Sequence, residues 1–95
     1  MKCRFNSLAE QELNEAIDFY NHQQTGLGDR FFQEIQAAVR QITEHPNTWE
    51  KIDSKTHRFL TNRFPYGVLY RIHSDHIRIA AVSHLRRKPD YWQDR

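Results

Sequence analysis

The chain has a single cysteine, Cys3, so no internal disulfide can form. A small domain that folds without covalent staples fits a reducing compartment, and the cytoplasm is the expected location. No apolar run approaches the ~20 residues needed to cross a bilayer. The opening residues MKCRFNS lack the apolar centre of a signal peptide. There is no internal repeat, low-complexity tract or linker, and nothing in the composition calls for a cofactor. Ninety-five residues make one domain, 1–95, with a core of modest size. The hydrophobic share of 38% and the aromatic share of 13% suit a packed fold and argue against disorder.

Net charge is small and uneven in distribution. The net charge is only +2, but residues 1–56 hold six Lys/Arg against nine Asp/Glu. Residues 57–95 hold eight against three, with four of the six histidines. Such asymmetry points to an anionic partner for the second half, either nucleic acid or an acidic protein segment. An ordinary solvated surface is the plain alternative.

Hydrophobic periodicity divides the chain into two regimes. Met1–Phe5 reads as a short strand. Ser7 and Glu10 fit a capping box, followed by Ala9, Leu13, Ala16, Ile17 and Tyr20 at helical spacing, with Glu12, Glu15 and Asp18 on the polar side. This predicts a helix over residues 8–24 that stops at Thr25-Gly26. Phe31, Ile35, Ala38, Val39 and Ile42 predict a second helix, starting between Gly26 and Asp29 and ended at His45 by Pro46. The short glycine-containing link makes the two an antiparallel hairpin. Beyond Trp49 the period falls to two, which predicts strands over residues 57–64, 67–73 and 76–84. Phe64-Pro65-Tyr66-Gly67 supplies the first turn and Ser74-Asp75 the second.

A two-residue loop at Ser74-Asp75 sets His73 opposite His76, Arg71 opposite Arg78 and Leu69 opposite Ala80. Val68, Tyr70, Ile72, Ile77, Ile79 and Ala81 then share the face turned to the helices. The other face carries Arg71, His73, His76, Arg78 and His84, a cationic surface that suits an anion. Arg58 and Arg63 extend or rim that surface. His73 and His76 lack a third ligand at a telling spacing, so no metal site is expected.

Three segments carry a resemblance. Val82-Ser83-His84-Leu85-Arg86-Arg87-Lys88-Pro89-Asp90-Tyr91-Trp92, together with Phe64-Pro65-Tyr66-Gly67-Val68-Leu69-Tyr70 and the Phe31–Ile35 helix, resembles the RelE/ParE toxin superfamily. The resemblance covers nearly the whole chain. It implies an α+β fold with a helical hairpin on a curved, mainly antiparallel sheet of three to four strands. It also implies a type II toxin–antitoxin (plasmid stabilisation) module with a cognate antitoxin as partner. Family members poison cells in one of two ways: RelE-like members cleave messenger RNA on the ribosome, and ParE-like members inhibit DNA gyrase by contact. A degenerate, non-toxic member is the third alternative.

Metal-free RNA cleavage needs a base, a cation for the developing phosphorane charge and an acid for the leaving oxygen. His84 can exchange a proton and Arg86 can hold phosphate, so these two are the catalytic candidates if the protein is a nuclease. Trp92 stands where several such nucleases carry a tyrosine, and an indole has no useful acidic proton. Arg58, Arg71, Arg78, Arg87, Tyr91 and Trp92 are the candidates for partner or nucleic-acid binding. Tyr91 and Trp92 also read as packing residues. The H-x-R-R-x-P ending is closer to the ParE-like branch.

Overall fold

A computed structural model describes residues 1–88 and 90–95; Pro89, the proline of the C-terminal motif, lies outside the described residues. The elements run β1 (Lys2–Phe5), α1 (Ser7–Gln23), α2 (Leu27–Glu44), β2 (His57–Leu60), β3 (Tyr66–Ile72) and β4 (His76–His84). The sheet order is β1-β4-β3-β2, with β1 parallel to β4 and the other pairs antiparallel. Two helices on a four-stranded, open, mixed sheet make the expected α+β architecture.

The start of α1 differs from the capping box expected at Ser7. Asn6 is the cap: its Oδ1 accepts from Leu8 N–H at 2.8 Å, and its backbone oxygen accepts from Glu10 N–H. Strand pairing decides this, because Asn6 N–H still donates to the Ile79 carbonyl (2.9 Å) as an extension of β1. The chain leaves the sheet at Asn6, and Ser7 is already helical. At the other hairpin end, Gly26 adopts φ 86° as the N-cap of α2. There a side chain would be strained.

The core forms where the two periodicities meet. Leu13 of α1 and Phe31, Ile35, Ala38 and Ile42 of α2 pack on Val68, Tyr70, Ile77 and Ile79, with Ile17 and Ile72 half-buried beside them. Burying side chains of this size stabilises by about 1.5–3 kcal/mol each. Strand β2 is shorter than predicted, ending at Leu60 rather than Phe64. Phe64 instead turns inward and meets Tyr20 and Phe31 edge-on, at centroid distances of 4.9 and 5.1 Å. An inserted aromatic ring gains more there than in a continued ladder. Thr61 closes the resulting loop through its hydroxyl and N–H to the Tyr66 carbonyl.

The β3–β4 register agrees with expectation near the turn: Ile72 faces Ile77, Arg71 faces Arg78 and Tyr70 faces Ile79. A β-bulge then intervenes, and Leu69 faces Ala81 rather than Ala80. One extra residue exchanges the two faces of everything beyond it. Ala81 therefore leaves the helix-facing core for the opposite side, and Val82 takes its place against the helices. His84 changes face as well.

Helix α1 meets α2 so closely that Gly28 has no room for a side chain. A Cβ there would stand 2.1 Å from the Ile17 carbonyl oxygen and 2.6 Å from Asn21 Cγ. Asn21 Oδ1 also accepts from Gly28 N–H at 2.8 Å. Gly28→Ala should therefore lower stability by about 2–3 kcal/mol in urea unfolding, at the upper end of overpacking costs; an unchanged midpoint would show that the helices separate freely.

Candidate functional site

Of the candidate residues, His84, Arg86 and Arg87 gather at one end of the sheet, where β4 ends. Leu85 N–H donates to the Pro65 carbonyl (2.9 Å) and Arg87 N–H to that of His84 (3.0 Å). This turn leaves Leu85, Arg86, Arg87 and Lys88 exposed. Residues 90–95 then cross the sheet face opposite the helices. Trp92 is buried there against Leu69 and Ala81, with Ile52 and Tyr91 beside it.

That crossing overturns the expected open cationic face. Arg71 is only 8% exposed: Nε donates to Thr56 Oγ1 (3.1 Å), Nη2 to the Gln93 carbonyl (3.2 Å), and the guanidinium lies 5.8 Å from the Trp92 ring centre. Arg78 is half-buried and donates from Nε to the Arg95 carbonyl (3.3 Å). Backbone carbonyls of the chain itself occupy the place where an anion was expected. Both arginines, and Trp92 with them, are packed against residues 91–95 or bonded to them. Arg63 lies apart, on a recess beside Arg30 and Glu34 of α2.

Glu12 binds this end together, although its helical position read as outward-facing. Oε1 accepts from Val82 N–H (3.1 Å), just beyond the bulge, and from Arg95 Nη1 (2.7 Å). Oε2 accepts from the Tyr91 hydroxyl at 2.7 Å. Arg95 Nη1 also donates to the Ala80 carbonyl (3.2 Å), so both sides of the bulge are satisfied by side chains. Glu12 and Arg95 are only 12% and 11% exposed in their side chains, where water screens the pair weakly. Neither residue was singled out in the sequence, and only their tertiary pairing marks them.

His84 sits on the helix side of the sheet, edge-on to Tyr66 at 5.2 Å between ring centres. This corrects its expected place beside Arg71 and Arg78, and the bulge is the cause. Its Nδ1 accepts from Arg86 N–H at 3.0 Å. The neutral ring then carries its proton on Nε2 and has no free lone pair to serve as a base.

Two recesses flank His84. The larger, about 430 Å³, has Gly67, Leu69 and Trp92 in its lining, together with Arg58, Arg87 and Lys88. The stem of Arg58 lies over Gly67, 3.3 Å from where a Cβ would stand. The Arg58 guanidinium is paired with Glu50, and its buried Nε has no hydrogen-bond partner. The smaller recess, about 250 Å³, lies toward α1 among Ala16, Phe19, Tyr66 and Val82. His84 and Arg87 line both. Arg87 also stacks on Tyr91, with 4.0 Å from guanidinium carbon to ring centre.

Two tyrosines of the site hold their protons tightly. Burial raises the Tyr91 hydroxyl above its usual range, and that proton is donated to Glu12. Tyr66 is pushed up to about 12, chiefly by burial. Among the described residues no cluster of His, Cys, Asp or Glu could hold a metal ion. The site offers exposed cations, apolar side chains and fixed hydrogen bonds: the components of a contact surface.

Comparison with known proteins agrees with this fold. The family described as ParE toxin of type II toxin–antitoxin system, parDE, matches residues 3–89. A solved structure described as a chromosomal ParDE TA system from P. aeruginosa superposes with a TM-score of 0.66 at 14% identity. The match covers 88% of this chain and 95% of that one. No curated protein sequence matches. Among the described residues, no helix is long and apolar enough to cross a membrane.

Two outcomes follow for the site. Glu12→Ala removes the acceptor for three donors, and stability should fall by about 2–4 kcal/mol as those groups lose their partner. Denaturant unfolding measures this, and a loss below 0.5 kcal/mol, roughly that of a surface change, would mean the network is dispensable. Tyr66 and Tyr70 both have hydroxyls raised to about 12, mainly by burial. Their stabilising effect is complete below pH 10 and lost as pH rises toward 12. Phenolate absorbance and unfolding midpoints, followed together with pH, should show that loss.

Proposed function

The chain belongs to the ParE toxin family of type II toxin–antitoxin systems, and from that premise we propose that it arrests growth by inhibiting DNA gyrase through protein contact. A cognate antitoxin encoded beside it neutralises it, in a plasmid-borne or chromosomal module acting in the cytoplasm. The observation that carries the choice of contact over catalysis is the engagement of His84 Nδ1 by Arg86 N–H. A ribonuclease working on the ribosome needs a free base and acid near its phosphate-binding cation. Trp92 is buried, Tyr91 is bonded to Glu12 and His84 is held by the turn. These placements support an inhibitor whose exposed Arg86, Arg87 and Lys88 meet an acidic surface. The antitoxin has the same cations available for its acidic side chains, with Arg58 at the cleft wall.

Controlled expression without the antitoxin tests this. We expect growth arrest with DNA damage signalling, intact messenger RNA, and inhibition of supercoiling by the purified chain. His84→Gln should retain toxicity within a few-fold, whereas loss of a true acid or base costs about 10²–10⁴-fold. Arg86→Ala and Arg87→Ala should weaken inhibition stepwise and reduce its salt dependence. Messenger RNA cut by the wild-type chain and spared by His84→Gln would overturn the gyrase reading in favour of nuclease action.

A further inference from the structure

The exposed rim around His84 is chemically divided. On the α1 side Phe19 is 57% exposed, beside the recess it shares with Tyr66. Leu85, 53% exposed, stands on the other side at the larger cleft. Large apolar side chains exposed on both sides of a ridge suggest a face that another molecule covers. The ridge itself is His84 and Arg87, the two residues common to both recesses. Arg86, Arg87 and Lys88 form no ion pair among the described residues. Arg87 is nevertheless held in place by stacking on Tyr91, which Glu12 fixes in turn. An ordered, unpaired cation between two exposed apolar groups has the composition of a binding hot spot, where Arg and aromatic residues predominate.

We propose that this bipartite rim is the target-docking surface, and that its occupant is an acidic protein segment. One apolar side chain of that segment enters the recess beside Phe19 and Tyr66, and a neighbouring carboxylate crosses the ridge to Arg87 and the basic cleft. Charge complementarity selects the acidic character. A protein rather than a nucleic acid is favoured because carboxylates already line both recesses. Glu12 and Glu15 flank the apolar one, and Asp53 and Asp90 the basic one. A continuous phosphate backbone would meet them, whereas a single placed carboxylate would not. The inference rests on the contact mechanism proposed above and adds α1, through Phe19, to a surface otherwise built from the β4 turn.

The test uses the purified, folded chain and purified DNA gyrase, with growth arrest in cells as a readout independent of target. Phe19→Ser, Leu85→Ser and Arg87→Glu should each weaken gyrase binding by about 30-fold, as hot-spot truncations do, and relieve arrest in parallel. Phe32→Ser, on the exposed side of α2, serves as the control and should change neither. Circular dichroism and unfolding midpoints near wild type secure the comparison. Gyrase inhibition that survives all three rim changes overturns the surface while leaving the gyrase reading intact. If the wild-type chain arrests growth without touching gyrase, that reading fails. The surface then stands if the rim variants alone relieve arrest, and falls if Phe32→Ser does so equally. RNA cleavage lost in Phe19→Ser would make the occupant a nucleic acid and overturn the proposal. A self-association abolished by Phe19→Ser with arrest unchanged would overturn it in favour of a second copy of the chain.

Discussion

One carboxylate holds together the corner of the molecule where the candidate site lies. The bulge in β4 shifts the register with β3, and backbone groups of Ala80 and Val82 are met by side chains. Glu12 reaches the Val82 amide from α1, and Arg95 reaches the Ala80 carbonyl from the opposite side of the sheet. The two side chains then pair with each other. Without them the bulge would bury unpaired polar groups, at a cost of about 1–3 kcal/mol each. A short defect in the sheet thus depends on residues from both ends of the chain, and in return it turns His84 toward α1.

The buried arginines illustrate how charge is used within the fold. Arg71 and Arg78 stand directly opposite one another on adjacent strands, an arrangement that costs a few tenths of a kcal/mol if nothing else intervenes. Each is instead answered by a backbone carbonyl of residues 93–95, and Arg71 also by a hydroxyl and an indole face. The positive excess of the second half is therefore divided. Part of it fastens residues 93–95, and another part, at residues 86–88, is left facing solvent.

Both helices and the hairpin turn were legible in the sequence because each is fixed locally. Phe31, Ile35, Ala38 and Ile42 repeat at helical spacing, Pro46 ends the run, and Ser74-Asp75 is too short for any but one register. The bulge was not legible, since Ile77, Ile79, Ala80, Ala81 and Val82 offer apolar side chains to both faces. Either parity satisfies the pattern, and the choice lies with Glu12 across the core. The cap at Asn6 was missed for a related reason: Asn6 and Ser7 both make good caps, and the sheet contact of Asn6 decides between them. Of the site residues, Arg86 and Arg87 lie exposed at the candidate surface, whereas Arg71 and Arg78 carry the same chemistry turned inward, beside the buried Trp92. Residue type alone does not distinguish the two uses.

The contacts that steady the rim join residues 70, 79 and 83 positions apart along the chain. Such long loops must close before these bonds form, as they must for the β1–β4 pairing, so this corner carries a loop-closure cost that the helical hairpin does not. A nascent chain on the ribosome can build its helical hairpin early, from neighbours in sequence. It cannot fasten the β4 turn until residues 91 and 95 have left the exit tunnel. The surface proposed to recognise a target therefore matures only once residues 91–95 have emerged, and a product lacking them would carry most of the fold without a settled binding face.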